Sequence, residues 1–288
     1  MRQIREVSGI DWFSGAVCNS TWSGPLLADV LRDAAPELTT GHACFNSRST
    51  RVQDDDYYGV SVPLERCLDK EKMVLLALEM NGAPLTVNHG APVRVVVPGV
   101  AGARWTKWLD EIIVQDEESP NYYMQRDYKI LPPHIRTKEQ ADAAWAGAEA
   151  IMGMPVNSVV CVPEDGAVVK PGDLEVRGYA LPQGDDGPVV RVEVSVDCGK
   201  TWRDAEVEGA ERWGWGLWRC TLPREVVRGF TGKTSIWSRA TDKGGNRQTG
   251  EKGWNYRGVA YSAYGNVGGL RVVRDDGELV NGVEKLKL

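Results

Sequence analysis

Residues 87–109 read VNHGAPVRVVVPGVAGARWTKWL. The apolar run Val93–Val97, closed by a proline-glycine pair, predicts a buried strand that ends in a turn. His89 and Arg94 flank the turn entering that strand, and Arg104 and Lys107 follow the bend from Gly99 to Gly102. Glycine lets a backbone approach a ligand closely, and cationic side chains can bind phosphate or the polar edge of a heterocycle. From residue types alone two accounts stand side by side. One is a cradle for an anionic ligand, and the other is a charged surface turn between strands.

Working outward, residues 73–87 (MVLLALEM-NG-APLTV) place an Asn81-Gly82 turn between two apolar stretches and predict a hairpin. Residues 23–33 (SGPLLADVLRD) put Leu26, Leu27, Val30 and Leu31 on one helical face, with Pro25 suited to a first turn. A second helix is expected over Thr137–Ile151, opened by a Thr137/Gln140 capping box. Beyond Pro155 the pattern changes. Short apolar strings such as RVEVSVDCGKTW (191–202), GLWRCTLP (216–223) and TSIWSRATDKGGNRQ (234–248) alternate with glycine, proline and aspartate. Val192, Val194 and Val196 keep strict period two, with turns at Cys198-Gly199 and Gly244-Gly245-Asn246, as a β-sandwich requires. The expected class is α+β: a mixed α/β domain over residues 1–152, then an immunoglobulin-like sandwich over 153–288.

Composition narrows the function classes. At 288 residues, 42% hydrophobic and 26% charged, the chain has ordinary globular composition. A net charge of −6 and the absence of any basic run argue against nucleic acid as the main partner. No stretch approaches the ~18 apolar residues of a membrane span, so no membrane partner is expected. Eleven tryptophans against three phenylalanines suit a bulky cofactor, a subunit interface or simply a β-rich core. The six cysteines are scattered, without a C-x-x-C pair or a nearby histidine cluster, and read as reduced thiols of an intracellular protein. The N-terminal MRQIREVSGIDWFSG lacks the apolar core of a signal peptide.

Residues 89–109, HGAPVRVVVPGVAGARWTKWL, resemble the H-G-x-P-V-R-V-V-V-P-G-x-x-G-A-R-x-x-K-W-L signature shared by sulfite oxidases and assimilatory nitrate reductases. The resemblance continues through GIDWFSGAVCNSTWSGPLLADVL (9–31), YYGVSVPLERCLD (57–69), RVEVSVDCGKTW, IWSRATDKGGNRQ (236–248) and WNYRGV (254–259). It implies a molybdopterin-binding domain followed by a dimerisation domain. The implied cofactor is Mo-molybdopterin, with His89, Arg94, Trp105, Thr106 and Lys107 as its contacts and with homodimers formed through the sandwich. The tryptophan-rich WGWGLWRC (213–220) is the expected interface. Two positions then separate the chemistries within the family. Tyr128, in R-D-Y-K, stands where sulfite oxidases keep tyrosine and nitrate reductases usually carry asparagine. Arg257, in W-N-Y-R-G, stands where nitrate reductases usually carry methionine. A guanidinium presents several donors in a fixed fork and suits a tetrahedral oxyanion. Trp12 matches the tryptophan that walls the family's anion pocket. The implied activity is two-electron oxidation of sulfite to sulfate, with Tyr128, Arg257 and Trp12 at the substrate and a nitrate reductase-type domain as the alternative.

The sequence also departs from the family. The cysteine that ligates the metal, in a C-A-G-N-R-R motif, aligns upstream of Met1, so no metal ligand is assigned within these residues. Two expectations follow: a longer enzyme whose ligand lies upstream, or a catalytically dead dimeric scaffold. Cys18 is a third, weaker candidate for the thiolate, and a soft sulfur ligand would suit the metal. The family aspartate that contacts the cofactor has no clear equivalent, although Asp54, Asp55 and Asp56 lie nearby. No cytochrome b5-like haem segment is recognised, so the electron acceptor is expected to be external and stays unnamed. Cytosol, peroxisome and mitochondrion all remain open, because the terminal Lys-Leu-Lys-Leu lacks the small residue of an S-K-L signal.

Overall fold

The computed structural model describes residues 1, 4–9, 15–251, 253–277 and 279–280. They fall into two compact units. The first is built on Cys18–Met154 and also takes in residues 4–9 and Trp254–Ala260; the second is built on Pro155–Gly253 and the chain from Tyr261 onward.

The first unit is organised on an antiparallel sheet in which His42–Ser47 lies between Tyr58–Pro63 and Glu111–Gln115. The central strand, HACFNS, is buried on both faces because its side chains are small or apolar: Ala43, Cys44 and Phe45 all sit in the interior. Burial pushes the Cys44 thiol up to about 11 and the Cys67 thiol to about 12, as expected of unreactive core cysteines. Phe45, Val60 and Val62 pack with Leu27, Leu31, Val95, Val97 and Met124 in one core.

Three predicted elements change in detail. The helix spans Leu27–Ala34, so Pro25 lies outside it, before the N-cap Leu26. Leu26 bridges instead to Leu75, and the buried face becomes Leu27, Ala28 and Leu31, while Val30 is exposed. The predicted hairpin is shorter than its apolar run. Glu79–Met80 pairs with Ala83–Pro84 across Asn81 and Gly82, whose φ values of 54° and 74° are those a primed two-residue turn requires. The preceding Leu75–Ala77 pairs with Arg94–Val96 instead, which fixes the strand read from Val93–Val97. The capping box of Thr137 and Gln140 is present, but the helix stops at Ala144 and runs into a 3-10 turn over Trp145–Gly147. The chain must extend there, because Ala150 bridges Lys129 and Ile151 N–H donates to the Tyr128 carbonyl at 2.8 Å.

The second unit is a sandwich whose two sheets share a strand. In Arg203–Glu208, residues Arg203–Ala205 pair with Val189–Ser195, and Glu206–Glu208 pair with Gly216–Leu222. One sheet continues through Ile236–Asp242 to Gly265–Val267, and the other through Leu174–Leu181 to Asn157–Val162. The end strand Asn157–Val162 approaches Ile236–Asp242 of the other sheet, with the Ser158 and Ser238 hydroxyls 2.9 Å apart, so the architecture is nearly barrel-like. Val192, Val194 and Ile236 point into its core, as period two predicts, and Cys198 and Gly199 make the expected turn at φ 60° and 80°. Trp218, expected at an interface, points inward and is 2% exposed: Gly216–Leu222 alternates strictly, and its residue 218 falls on the core face. Among the described residues no helix is long and apolar enough to cross a membrane.

Candidate functional site

Residues 87–109 fold back on themselves. Val95 N–H donates to the Thr106 carbonyl at 2.9 Å, Leu109 N–H to Val93 at 3.0 Å, and Trp108 N–H to Gly90 at 3.2 Å. Gly90 has φ 103°, and a Cβ there would lie 2.8 Å from the Cβ of Lys107, so only glycine fits the crossing. Arg94 sits at the centre of this fold. Its Nη1 donates to the His89 carbonyl and its Nη2 to the Trp105 carbonyl, both at 3.2 Å, and the guanidinium lies 4.8 Å from the Trp22 ring. Its Nε is buried and has no partner among the described residues. Lys107 Nζ donates to the Asn88 carbonyl at 3.1 Å and stands 4.5 Å from the Trp108 ring. The His89 ring is exposed, with Nδ1 2.7 Å from the Thr86 hydroxyl.

Burial lowers the proton affinity of Arg94, and burial together with Arg94 lowers that of Lys107. Among the described residues no carboxylate pairs with either cation. Two adjacent positive groups without a counterion, one with an orphaned N–H, fit an anionic, hydrogen-bonding ligand such as a pterin phosphate. His89, Arg94 and Lys107 are therefore brought together. Trp105 is half-buried, donates Nε1 to the Val100 carbonyl at 3.1 Å and meets Trp22 edge-on. Thr106 departs from its expected role. Its side chain is buried and donates to the Phe45 carbonyl at 3.2 Å, because alternation along this segment turns it toward the sheet. Cys18 is exposed, close enough to Arg94 for a thiolate there to favour the charged guanidinium. No group of three His, Cys, Asp or Glu side chains is arranged to hold a metal among the described residues.

A second cluster lies behind this one. Arg104, read from sequence as a possible anion ligand, is 0% exposed. It donates Nε to the Ile151 carbonyl, Nη1 to Tyr123 and Nη2 to Tyr128, at 3.2, 3.2 and 3.3 Å. It is an internal post, and what it holds is Tyr128, whose φ of 54° is unusual for a tyrosine. Burial raises the Tyr128 phenol, and the neighbouring Asp127 adds to it, so the hydroxyl stays a neutral donor. Arg257 Nη2 pairs with Asp127 at 2.6 Å, Nη1 donates to the Ser8 carbonyl at 3.1 Å, and the buried Nε has no partner among the described residues. Trp12 lies outside the described residues.

Tyr128 and Arg257 thus share one neighbourhood with Asp127, and the two clusters meet back to back at Arg104 and Trp105. Sequence reading missed Asp127 and Trp22. Asp127 had a signal, since it adjoins Tyr128 in R-D-Y-K; Trp22 had none beyond its type. A cavity of about 670 Å³ lined by Pro132, His134, Ile135, Ala148 and Met152 contains none of these groups.

Comparison with known proteins gives a consistent result. Residues 1–123 match the oxidoreductase molybdopterin binding domain, and residues 148–268 match the Mo-co oxidoreductase dimerisation domain. Human mitochondrial sulfite oxidase is 40% identical over 276 residues, covering 93% of this chain and 49% of that protein. Sulfite oxidase of Arabidopsis thaliana is 36% identical over 289 residues, covering 93% of this chain and 71% of that protein. A nitrate reductase of Fusarium oxysporum is more distant, at 31% identity over 89% of this chain and 31% of that protein. Among solved structures, the sulfane dehydrogenase SoxCD of Paracoccus pantotrophus matches with a TM-score of 0.65 and 26% identity, covering 90% of this chain and 61% of that one. The chain spans about half the length of the animal relatives it matches.

Proposed function

The chain belongs to the sulfite oxidase family of molybdenum-cofactor oxidoreductases, and from that premise we propose that it takes part in the two-electron oxidation of sulfite to sulfate. The observation that carries the reading is the convergence of Tyr128 and Arg257 around Asp127. By the resemblance to the family, those are the two positions that separate sulfite from nitrate chemistry. Mo-molybdopterin, held through His89, Arg94 and Lys107, supplies the redox chemistry and oxygen transfer when bound.

The chain's own residues bind and orient. Arg257 offers a fixed fork of donors and a positive charge to an oxyanion, and its orphaned Nε is a donor ready for one. Asp127 holds that fork in place between turnovers. Tyr128, kept neutral by burial, donates a hydrogen bond to a substrate oxygen from a backbone position fixed by Arg104. Homodimers through the second unit complete the reading.

The test is Arg257→Met in the full-length, cofactor-loaded protein. Removing a charge-assisted contact to an anion in a desolvated site costs about 2–5 kcal/mol, so the KM for sulfite should rise by at least 30-fold or so. Molybdenum content should stay normal. An unchanged KM with full metal would refute the assignment, and a gain in nitrate turnover over sulfite in the parent protein would favour the nitrate reductase-type reading.

A further inference from the structure

Arg257 is held in place before any substrate arrives. Ser8 N–H donates to the Tyr256 carbonyl at 2.8 Å, Trp254 Nε1 to the Arg5 carbonyl at 3.2 Å, and Arg257 Nη1 returns to the Ser8 carbonyl at 3.1 Å. Asn255 Oδ1 closes the turn by accepting the Gly258 and Val259 N–H groups at 2.9 and 3.2 Å. The donor left over is Nε, buried and without a partner among the described residues. In a guanidinium, Nε–H and one N–H of Nη2 point along the same edge, with which the group grips an oxyanion at two points. Asp127 stands against that edge, 2.6 Å from Nη2.

Asp127 is a counterion with little else to hold its charge. Its side chain is 13% exposed, and among the described residues Arg257 is its one partner, with no backbone N–H or hydroxyl donating to it. The backbone on either side is fixed: Arg126 N–H donates to the Tyr122 carbonyl at 2.8 Å, and the Tyr128 carbonyl accepts from both Arg104 and Ile151. So short a side chain on a fixed backbone stays beside Arg257. An oxyanion gripping the Nε–Nη2 edge therefore takes the cation from Asp127 and leaves the carboxylate next to a second negative charge. Two like charges in contact at a partly desolvated site do not both stay ionised. Resting on the sulfite reading above, we infer that Asp127 is the proton acceptor of the substrate site: the oxyanion replaces its carboxylate on Arg257, and one proton goes to that carboxylate. With hydrogen sulfite the proton is the substrate's own. The carboxylate takes it, giving a carboxylic acid and the sulfite dianion, whose sulfur lone pair is then free. No electrons are transferred in this step and the total charge is unchanged.

The other groups around Asp127 leave this role to it. Arg104 is buried, held by three carbonyls. Arg126, its chain neighbour, pairs with Asp142 at 3.3 Å. The phenols of Tyr58, Tyr122 and Tyr128 are pushed up by burial and stay neutral. Among the described residues no histidine is bonded to Asp127 or Arg257. Burial pushes the Asp127 carboxyl up and Arg257 holds it down, while Asp54 adds to the rise and Arg104 opposes it. Once an oxyanion has taken Arg257, the chief opposing charge is gone, and the carboxyl rises further.

Sulfate tests this, because it is a tetrahedral oxyanion with no proton of its own to give near neutral pH. Calorimetric titration of the full-length, cofactor-loaded protein, in buffers of different ionisation enthalpy, counts the protons taken up with the ion. Between about pH 6 and 8 the parent should take up roughly one proton per sulfate, and its Kd should rise roughly tenfold per pH unit. Asp127→Asn has nothing to protonate, so uptake should fall to about zero and Kd should become flat, at least roughly tenfold tighter than the parent at about pH 8. Turnover gives a second reading. The kcat/KM of Asp127→Asn for sulfite, relative to the parent, should fall roughly tenfold at about pH 6, where the substrate arrives protonated, and be retained at about pH 9, where it arrives as the dianion. Sulfate binding by the parent without proton uptake, uptake that survives Asp127→Asn, or an equal loss of turnover at both pH values each overturns the inference while leaving the role of Arg257 intact. Sulfate binding that survives Arg257→Met, or no sulfate binding by the parent, overturns the function proposed above and this inference with it.

Discussion

Arg104→Met tests the internal architecture on which both clusters depend. The guanidinium is fully buried, pairs with no carboxylate among the described residues and donates to three carbonyls, those of Tyr123, Tyr128 and Ile151. Hydrogen bonds from a charged donor contribute about 1.5–3 kcal/mol each, so about 4–9 kcal/mol is at stake. Two effects reduce this. Methionine removes a buried charge whose desolvation costs several kcal/mol, and the Tyr128 carbonyl keeps one donor, the Ile151 N–H at 2.8 Å. A net loss of about 2–4 kcal/mol remains, which in a unit of this size lowers the unfolding midpoint by about 5–15 °C. Arg104→Lys keeps the charge but replaces a planar fork with a point donor and should recover less than half of the loss. Thermal unfolding followed by near-UV circular dichroism gives the midpoint. Amide exchange at Ile151 gives the location, because its acceptor is the carbonyl that Arg104 holds. A midpoint within about 1 °C of the parent, with Ile151 exchange unchanged, would refute this account of Arg104.

Other perturbations address single features. Gly90→Ala places a Cβ 2.8 Å from that of Lys107 at φ 103°, so the purified protein should contain several-fold less molybdopterin, read by pterin fluorescence after oxidation, without losing its fold. Asp197, held down to about 2 mainly by hydrogen bonds from Thr201, is a pH probe of the second unit. Its folded value is depressed, so the stability it contributes is present above about pH 4 and is lost as pH falls toward 2. Asp197→Asn should therefore flatten that acid limb, and an unchanged limb would exclude it. Light scattering at micromolar concentration should give a dimer, and a monodisperse monomer would remove the sandwich-mediated assembly.

Legibility in the sequence followed the range of the forces involved. The Asn81-Gly82 turn, the Thr137 capping box and the period-two valines were legible because each depends on residues a few positions apart. The helix end at Ala144 was not, because its cause is a pairing of Lys129 with Ala150 that no local pattern carries. Trp218 was misread as interface for a similar reason: tryptophan content marks burial, but only strand register decides which side is buried. At the candidate site, Arg94 and Lys107 were found from their spacing around a glycine-rich bend. Arg104, of the same type in the same bend, differs only in which way the 3-10 turn over Gly102–Arg104 points it. Residue type could propose a cation there; it could not say that its partners would be carbonyls.

That turn also explains why the two clusters carry opposite electrostatic signatures. Among the described residues Arg94 and Lys107 stand together without a carboxylate, whereas Arg257 is paired with Asp127. A partly desolvated cation without a counterion is costly unless a ligand supplies one, so the first arrangement of half-buried Arg94 and Lys107 suits a ligand retained through the life of the protein. A cation already neutralised by a carboxylate loses little when its site is empty, and an incoming anion must compete for the same donors. Binding is then weaker and release faster, as a substrate site that turns over requires. On the proposed reading, the cofactor side demands an anion and the substrate side only exchanges one. The backbone between them explains how both fit one small domain: adjacent residues send the Trp105 carbonyl to Arg94 on one side and the Arg104 side chain to the Tyr128 carbonyl on the other.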